Sequence, residues 1–148
     1  MIRVQTEDFD IGAEVAALSK DRHDIGAVVT FSGTVRDKTG DLLALELEHY
    51  PGMTEKELVR IEREAQERWP LEASLIVHRV GRLAPGENIV LVVTASAHRQ
   101  AAFEAAEFLM DYLKTRAPFW KREETASGGD WVDARDSDDT AAARWTKK

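Results

Sequence analysis

Between residues 25 and 35 the side chains alternate in character. Ile25, Ala27, Val29, Phe31, Gly33 and Val35 fall on one parity, and Val28, Thr30, Ser32 and Thr34 on the other. A two-residue period predicts a half-buried strand. The strand runs into the polar loop Arg36-Asp-Lys-Thr-Gly-Asp41, so Arg36 stands at a strand end, where a side chain can project into a site. Leu43, Leu45 and Leu47 then alternate with Ala44, Glu46 and Glu48, which predicts a second strand with an acidic outer face. Residues 73–80 and 88–95 are apolar at both parities and are joined through Gly81 and a Pro85-Gly86 turn, the pattern of strands covered on both sides.

Helical spacing appears in three places. Asp8 or Asp10 is placed to cap a helix running to about Lys20, after a short strand at Ile2 to Gln5. Thr54 and Glu57 have the form of a capping box, and Leu58, Ile61 and Ala65 form an apolar stripe up to about Trp69, before Pro70. The longest helix opens at Ser96-Ala97-His98-Arg99 and repeats Ala102, Phe103, Ala106, Leu109, Met110 and Leu113 as its core stripe. Beyond Pro118, Phe119 to Thr125 and Trp131 to Ala134 read as short strands, and the chain from about 136, with the acidic run Asp136 to Asp139 and the last lysine pair, reads as a mobile tail. Strands punctuated by three main helices, without strict βαβ alternation, predict a single α+β domain over residues 1–148 with a mostly antiparallel sheet.

Charge and composition narrow the class of function. The 148 residues carry a formal charge of -7, which argues against nonspecific nucleic-acid or anionic-membrane binding. There is no cysteine, so disulfides, thiolate metal sites and a cysteine nucleophile are all excluded. With no long apolar run and no signal-peptide pattern, the expected setting is cytoplasmic.

Against that acidic background, Lys114-Thr-Arg-Ala-Pro-Phe-Trp-Lys121-Arg122 concentrates four cations and two aromatics around one proline. Pro118 donates no backbone N–H and biases Ala117 away from the α region, so the helix carrying Lys114 should stop here and leave Lys121 on an extended segment. A helix end followed by a strand can aim two lysines into one cleft. The bland alternative, cations complementing a helix dipole beside a solvated strand, stands equally at this point. His78, inside an apolar strand, reads as a hydrogen-bonded core histidine in preference to a ligand. His98 and Arg99 sit at a helix start, where free N–H groups favour an anion; a phosphate site and a plain surface terminus both fit.

The motifs Phe31-Ser-Gly-Thr-Val-Arg36, Leu47-Glu-His-Tyr-Pro-Gly-Met-Thr-Glu55, Ala97-His-Arg99, Met110-Asp-Tyr-Leu-Lys-Thr-Arg-Ala-Pro-Phe-Trp-Lys-Arg-Glu123 and Trp131-Val-Asp-Ala-Arg135 resemble the large subunit of molybdopterin synthase, the MoaE family, over roughly residues 25 to 145. The resemblance implies an α/β-hammerhead-like fold and a sulfurtransferase that converts cyclic pyranopterin monophosphate to molybdopterin. Two sulfurs are added in succession and the cyclic phosphate is opened to a terminal one. It further implies a small ubiquitin-like partner of MoaD type, whose C-terminal thiocarboxylate supplies the sulfur. A homodimer of large subunits within a heterotetramer is also implied, with no metal and no resident cofactor, the product being the pterin part of the molybdenum cofactor. A chain without cysteine fits an external sulfur donor.

Carried over by position, Lys114 and Lys121 match the catalytic lysines. Arg36, His98 and Arg99 match substrate contacts, with Thr34, Val35, Arg122 and Glu123 flanking them. Lys114, four residues after Met110 at the edge of the apolar stripe, is expected to be partly desolvated and able to act in proton transfer or hold the donor's terminal group. Lys121 is placed to steady charge developing on the pterin side chain. One helix from Arg99 to Lys114 would separate the two by roughly 22 Å at about 1.5 Å per residue. His98 and Arg99 would then complete a site whose lysines belong to another copy of the chain. Two other classes remain open from the residues: a noncatalytic docking platform for a ubiquitin-like tail, and a phosphoesterase acting without a protein donor.

Overall fold

A computed structural model of the chain describes residues 1–126, 128–132 and 136–146. The expected strand end at 133–134, the motif residues Asp133, Ala134 and Arg135, and the final lysine pair lie outside the described residues. The fold is α+β, with two four-stranded sheets. In the first, β1 (Ile2–Gln5) pairs in parallel with β4 (Leu71–Arg79), and β6 (Asn88–Ser96) runs antiparallel between β4 and the edge strand β2 (Ala27–Thr34). In the second, β5 (Gly81–Leu83), β3 (Leu42–His49), β7 (Phe119–Thr125) and β8 (Gly128–Val132) are antiparallel throughout.

The first sheet is covered on both faces, as the apolar runs at both parities require. Ile76, Val90 and Val92 meet Leu58, Ile61 and Ala65 of α2 (Met53–Arg68) and Phe108, Leu109 and Leu113 of α3 (Arg99–Arg116). The alternate residues Leu75, Val77, Leu91 and Val93 meet Phe9 and the half-buried Ile11, Val15 and Leu18 of α1 (Ile11–Ser19). Asp10 caps α1, its carboxylate accepting from Ala13 N–H at 3.0 Å. Buried Thr94 donates to the carbonyl of Ala102 at 2.6 Å and so fixes the first turn of α3 on β6. Gly26 permits a close crossing beside that turn: a Cβ there would lie 2.2 Å from the carbonyl oxygen of Ala97.

Three expectations are corrected. Helix α2 starts at Met53, one residue early, because Gly52 takes φ 85° and its N–H donates to the Glu55 carboxylate at 3.3 Å. Thr54 instead bonds back to Tyr50, and Glu57 pairs with Arg60 at 3.0 Å, so the Thr54–Glu57 box does not form. Phe103 is not core but 60 % exposed. The buried stripe of α3 is Ala102, Ala105, Ala106, Phe108, Leu109, Tyr112 and Leu113, which leaves Phe103 on the outer row with Glu107 and Lys114. In the segment read as a tail from about 136, the described residues form α4 (Asp136–Ala143) and a 3-10 turn (Arg144–Thr146) packed on α3. Ala142 is buried, Trp145 packs edge-on against Phe108 and Trp69, and its indole N–H donates to Asp111 at 2.6 Å. No helix among the described residues is long and apolar enough to cross a membrane.

Candidate active site

Pro118 does what its chemistry requires. Helix α3 ends at Arg116, Ala117 turns extended at φ -73° and ψ 132°, and β7 begins at Phe119. The antiparallel register with β3 sets Phe119 opposite His49, Lys121 opposite Leu47 and Glu123 opposite Leu45. Phe119, Lys121 and Glu123 therefore share a face with the buried Leu45 and Leu47, and Trp120 and Arg122 take the other. On the opposite wall, β2 loses its regular register between Gly33 and Thr34. That irregularity turns the strand end, and Val35 is then held by a bond from its N–H to Glu87 at 2.9 Å. Gly33, Thr34, Val35 and Arg36 consequently all line one concavity.

The concavity has a volume of about 530 Å³, within the usual range for small-molecule sites. Thr34, Val35, Arg36, Lys114, Lys121 and Glu123 line it, six of the nine residues named from the sequence. Arg122 does not: strand parity sends it to the outer face, where its guanidinium lies over Gly129. His98 and Arg99 do not line it either. Both are exposed at the far end of the 18-residue α3, and His98 occupies the N-cap position without a capping side-chain bond. Lys114 is itself solvent-exposed, so the isolated chain does not supply the burial expected from its place beside the apolar stripe.

Among the described residues, sequence reasoning missed three polar members of the wall: Lys38, His78 and Asp138. Lys38 sits in an irregular loop without periodic signal, and Asp138 arrives on α4. For His78 a signal existed, because it shares parity with Ile76 on the face of β4 turned to α3. It is a buried, hydrogen-bonded histidine, as read, and it lines the cavity as well. With Arg36, Lys38, Lys114 and Lys121 against Glu123 and Asp138, cations outnumber carboxylates among the described residues of the wall, in a chain of opposite overall sign. Burial pushes the His78 imidazole down to about 3 and repulsion from Lys121, Lys114 and His49 adds to this, while the bond to the Arg79 carbonyl opposes it. His78 is accordingly neutral near pH 7.

The family model described as "MoaE protein" matches residues 4–116. This chain belongs to the MoaE family. The match reaches closer to the N-terminus than the motifs at 25 to 145 indicated. Among relatives, the MoaE-family chain is 63% identical over 146 residues to the molybdopterin synthase catalytic subunit of Mesorhizobium japonicum, covering 97% of this chain and 92% of that one. The solved structure of the molybdopterin biosynthesis MoaE protein from Burkholderia ambifaria superimposes with a TM-score of 0.86 at 57% identity, covering 100% of this chain and 99% of that chain. The molybdopterin synthase structure from Staphylococcus aureus gives a TM-score of 0.81 at 34% identity, over 88% of this chain and 95% of that chain.

Proposed function

We propose that this chain is the catalytic component in the conversion of cyclic pyranopterin monophosphate to molybdopterin, drawing sulfur from the C-terminal thiocarboxylate of a small ubiquitin-like carrier of MoaD type. A cytoplasmic setting belongs to the same proposal. One observation carries it: Lys114 at a helix end and Lys121 on the following strand converge on a single cavity that also holds Arg36. The carrier's terminal group and the substrate's phosphate are both anions, and both find cations here despite the chain's charge of -7. The chain itself has no cysteine, so transferable sulfur arrives on another molecule.

In this reading the exposed Lys114 ammonium receives the thiocarboxylate through a charge-assisted hydrogen bond. Each incoming sulfur forms a C–S bond at a pterin side-chain carbon as a C–O bond at that carbon breaks. The oxygen leaves in one addition with the phosphate, which opens the cyclic ester to the terminal one, and in the other as water. Water then cleaves the acyl–sulfur bond, which returns the carrier as a carboxylate and leaves the sulfur on the pterin. A second carrier repeats the step. Lys121, half-buried on the same wall, steadies charge that develops on the substrate during addition. The guanidinium fork of Arg36 suits the phosphate, and Lys38 reinforces it.

His98 and Arg99 enter the proposal through a second copy of the chain. Their exposure, the roughly 22 Å that an α-helix puts between Arg99 and Lys114, the outward Phe103 one turn beyond Arg99 and the open edge of β2 all support a shared site across a twofold dimer. The direct test is Lys121→Ala assayed for turnover and for carrier binding. Lost turnover with carrier binding intact is the expected result. Turnover at the parental rate would reduce the chain to a docking platform and overturn the assignment.

A further inference from the structure

His78 is the cavity residue whose hydrogen-bonding direction the backbone dictates. It is 4 % exposed near the end of β4, and its ring lies flat on Phe119 with centroids 3.7 Å apart and planes 13° from parallel. Nδ1 lies 2.8 Å from the carbonyl oxygen of Arg79. A carbonyl oxygen only accepts, so in the neutral ring Nδ1 carries the hydrogen and Nε2 keeps a lone pair. Nε2 has no protein partner among the described residues, and it is not among the polar atoms sealed off without a partner. It is therefore open to the cavity that His78 lines.

The charged wall groups give this acceptor its use. Arg36, Lys38, Lys114 and Lys121 are donors suited to anionic parts of a ligand, and Glu123 and Asp138 carry negative charge. A neutral, ring-fixed nitrogen acceptor recognises neither phosphate nor carboxylate. It matches an uncharged N–H, such as the ring or amino N–H of a nitrogen heterocycle. Stacking on Phe119 and the anchor to Arg79 hold the imidazole in one orientation before any ligand arrives, so little freedom is lost on binding.

We propose that His78 is a substrate contact, its Nε2 accepting a hydrogen bond from an N–H of the pterin bound in the cavity, and that it selects for rings carrying such donors. This rests on the function proposed above and adds a determinant of substrate choice to it. The contact ties a backbone carbonyl of β4 to the ligand through one imidazole.

Two substitutions separate the ring's two nitrogens. His78→Gln places an acceptor near the Nε2 position. His78→Asn keeps a donor near Nδ1 for the Arg79 carbonyl and loses the distal acceptor. With thiocarboxylated carrier at saturation, His78→Asn should raise KM for cyclic pyranopterin monophosphate about tenfold with kcat little changed, and His78→Gln should hold KM within about threefold of the parent, the range expected for one hydrogen bond. A purely structural histidine gives the reverse order, because Asn retains the backbone anchor. Equal KM for His78→Asn and the parent, or equal loss in both variants, overturns the contact. If either variant fails to fold, 15N NMR of the parent decides the matter: the Nε2 resonance of His78 should move upfield on adding the pterin, and an unmoved resonance refutes the proposal. Equilibrium binding of the pterin is measured alongside. A parent that binds pterin without turning it over refutes the assigned reaction, and the Asn and Gln affinities then judge the contact by the same criteria.

Discussion

Acidification should destabilise this protein through one buried imidazole. His78 has an ordinary value of 6.5 that burial beside Lys121 and Lys114 brings to about 3 in the folded chain. Between those values the unfolded chain binds a proton at this position and the native chain does not, so stability rises with pH across the window. The contribution is complete above pH 6.5 and is lost as pH falls toward 3. From pH 7 to pH 5 the unfolded imidazole titrates through about 1.5 units at 1.36 kcal/mol each, a loss of about 2 kcal/mol. For a domain of this size that is a fall of about 4–8 °C in Tm. Urea denaturation of the parent and of His78→Gln at pH 7, 6 and 5 isolates the effect, because the carboxylates titrate in both proteins alike. The parent should lose about 2 kcal/mol more than the variant by pH 5. Parallel pH profiles would show that His78 protonates in the folded state, and the neutral acceptor assigned to Nε2 would go with it.

Three further outcomes follow from the geometry. Gly26→Ala forces a Cβ to within 2.2 Å of the Ala97 carbonyl oxygen, backbone against backbone, and should cost at least about 2 kcal/mol by thermal or chemical denaturation. Arg36→Ala should raise KM for the pterin phosphate by roughly 10- to 100-fold, as loss of a charge-assisted bond does; Arg122→Ala, on the outer face of β7, should move it little. Mixing a Lys114→Ala chain with an Arg99→Ala chain should restore activity, because a mixed dimer rebuilds one intact site; no recovery would place both residues in the same protomer's site.

The parts of the fold that were legible in the sequence are those governed by short-range periodicity. The double-sided apolar runs of β4 and β6 and the stop imposed by Pro118 each act within a few residues and reappear in the structure. The two-residue alternation holds only in part: Phe31 breaks it in β2, and in β3 it starts at Leu45, Leu43 being exposed and Ala44 buried across the register shift between Leu42 and Ala44. The convergence of Lys114 and Lys121 follows from that stop together with the register of β7 on β3. Adjacency in the chain did not fix geometry in the structure. Arg122 lies next to Lys121 in the chain and on the opposite face of the strand, which its predicted strand parity already implied. Phe103 adjoins Ala102 and falls off the buried stripe. The segment after 136 is polar enough to read as loose, and its described part meets α3 through Trp145, which reaches Asp111 and Phe108, contacts that sequence spacing does not reveal. His78 was correctly placed in the core, but a core position at a strand end bordering a cavity serves two purposes, and only the assembled wall shows the second.

The measurement that bears most directly on the account is the mass of the pterin formed when the purified chain is incubated with cyclic pyranopterin monophosphate and a thiocarboxylated carrier. A cavity that receives an anionic sulfur donor beside two lysines predicts a product carrying two added sulfurs and a terminal phosphate, with the carrier returned as its carboxylate. Recovery of the pterin without sulfur, while the carrier remains bound and thiocarboxylated, would contradict it.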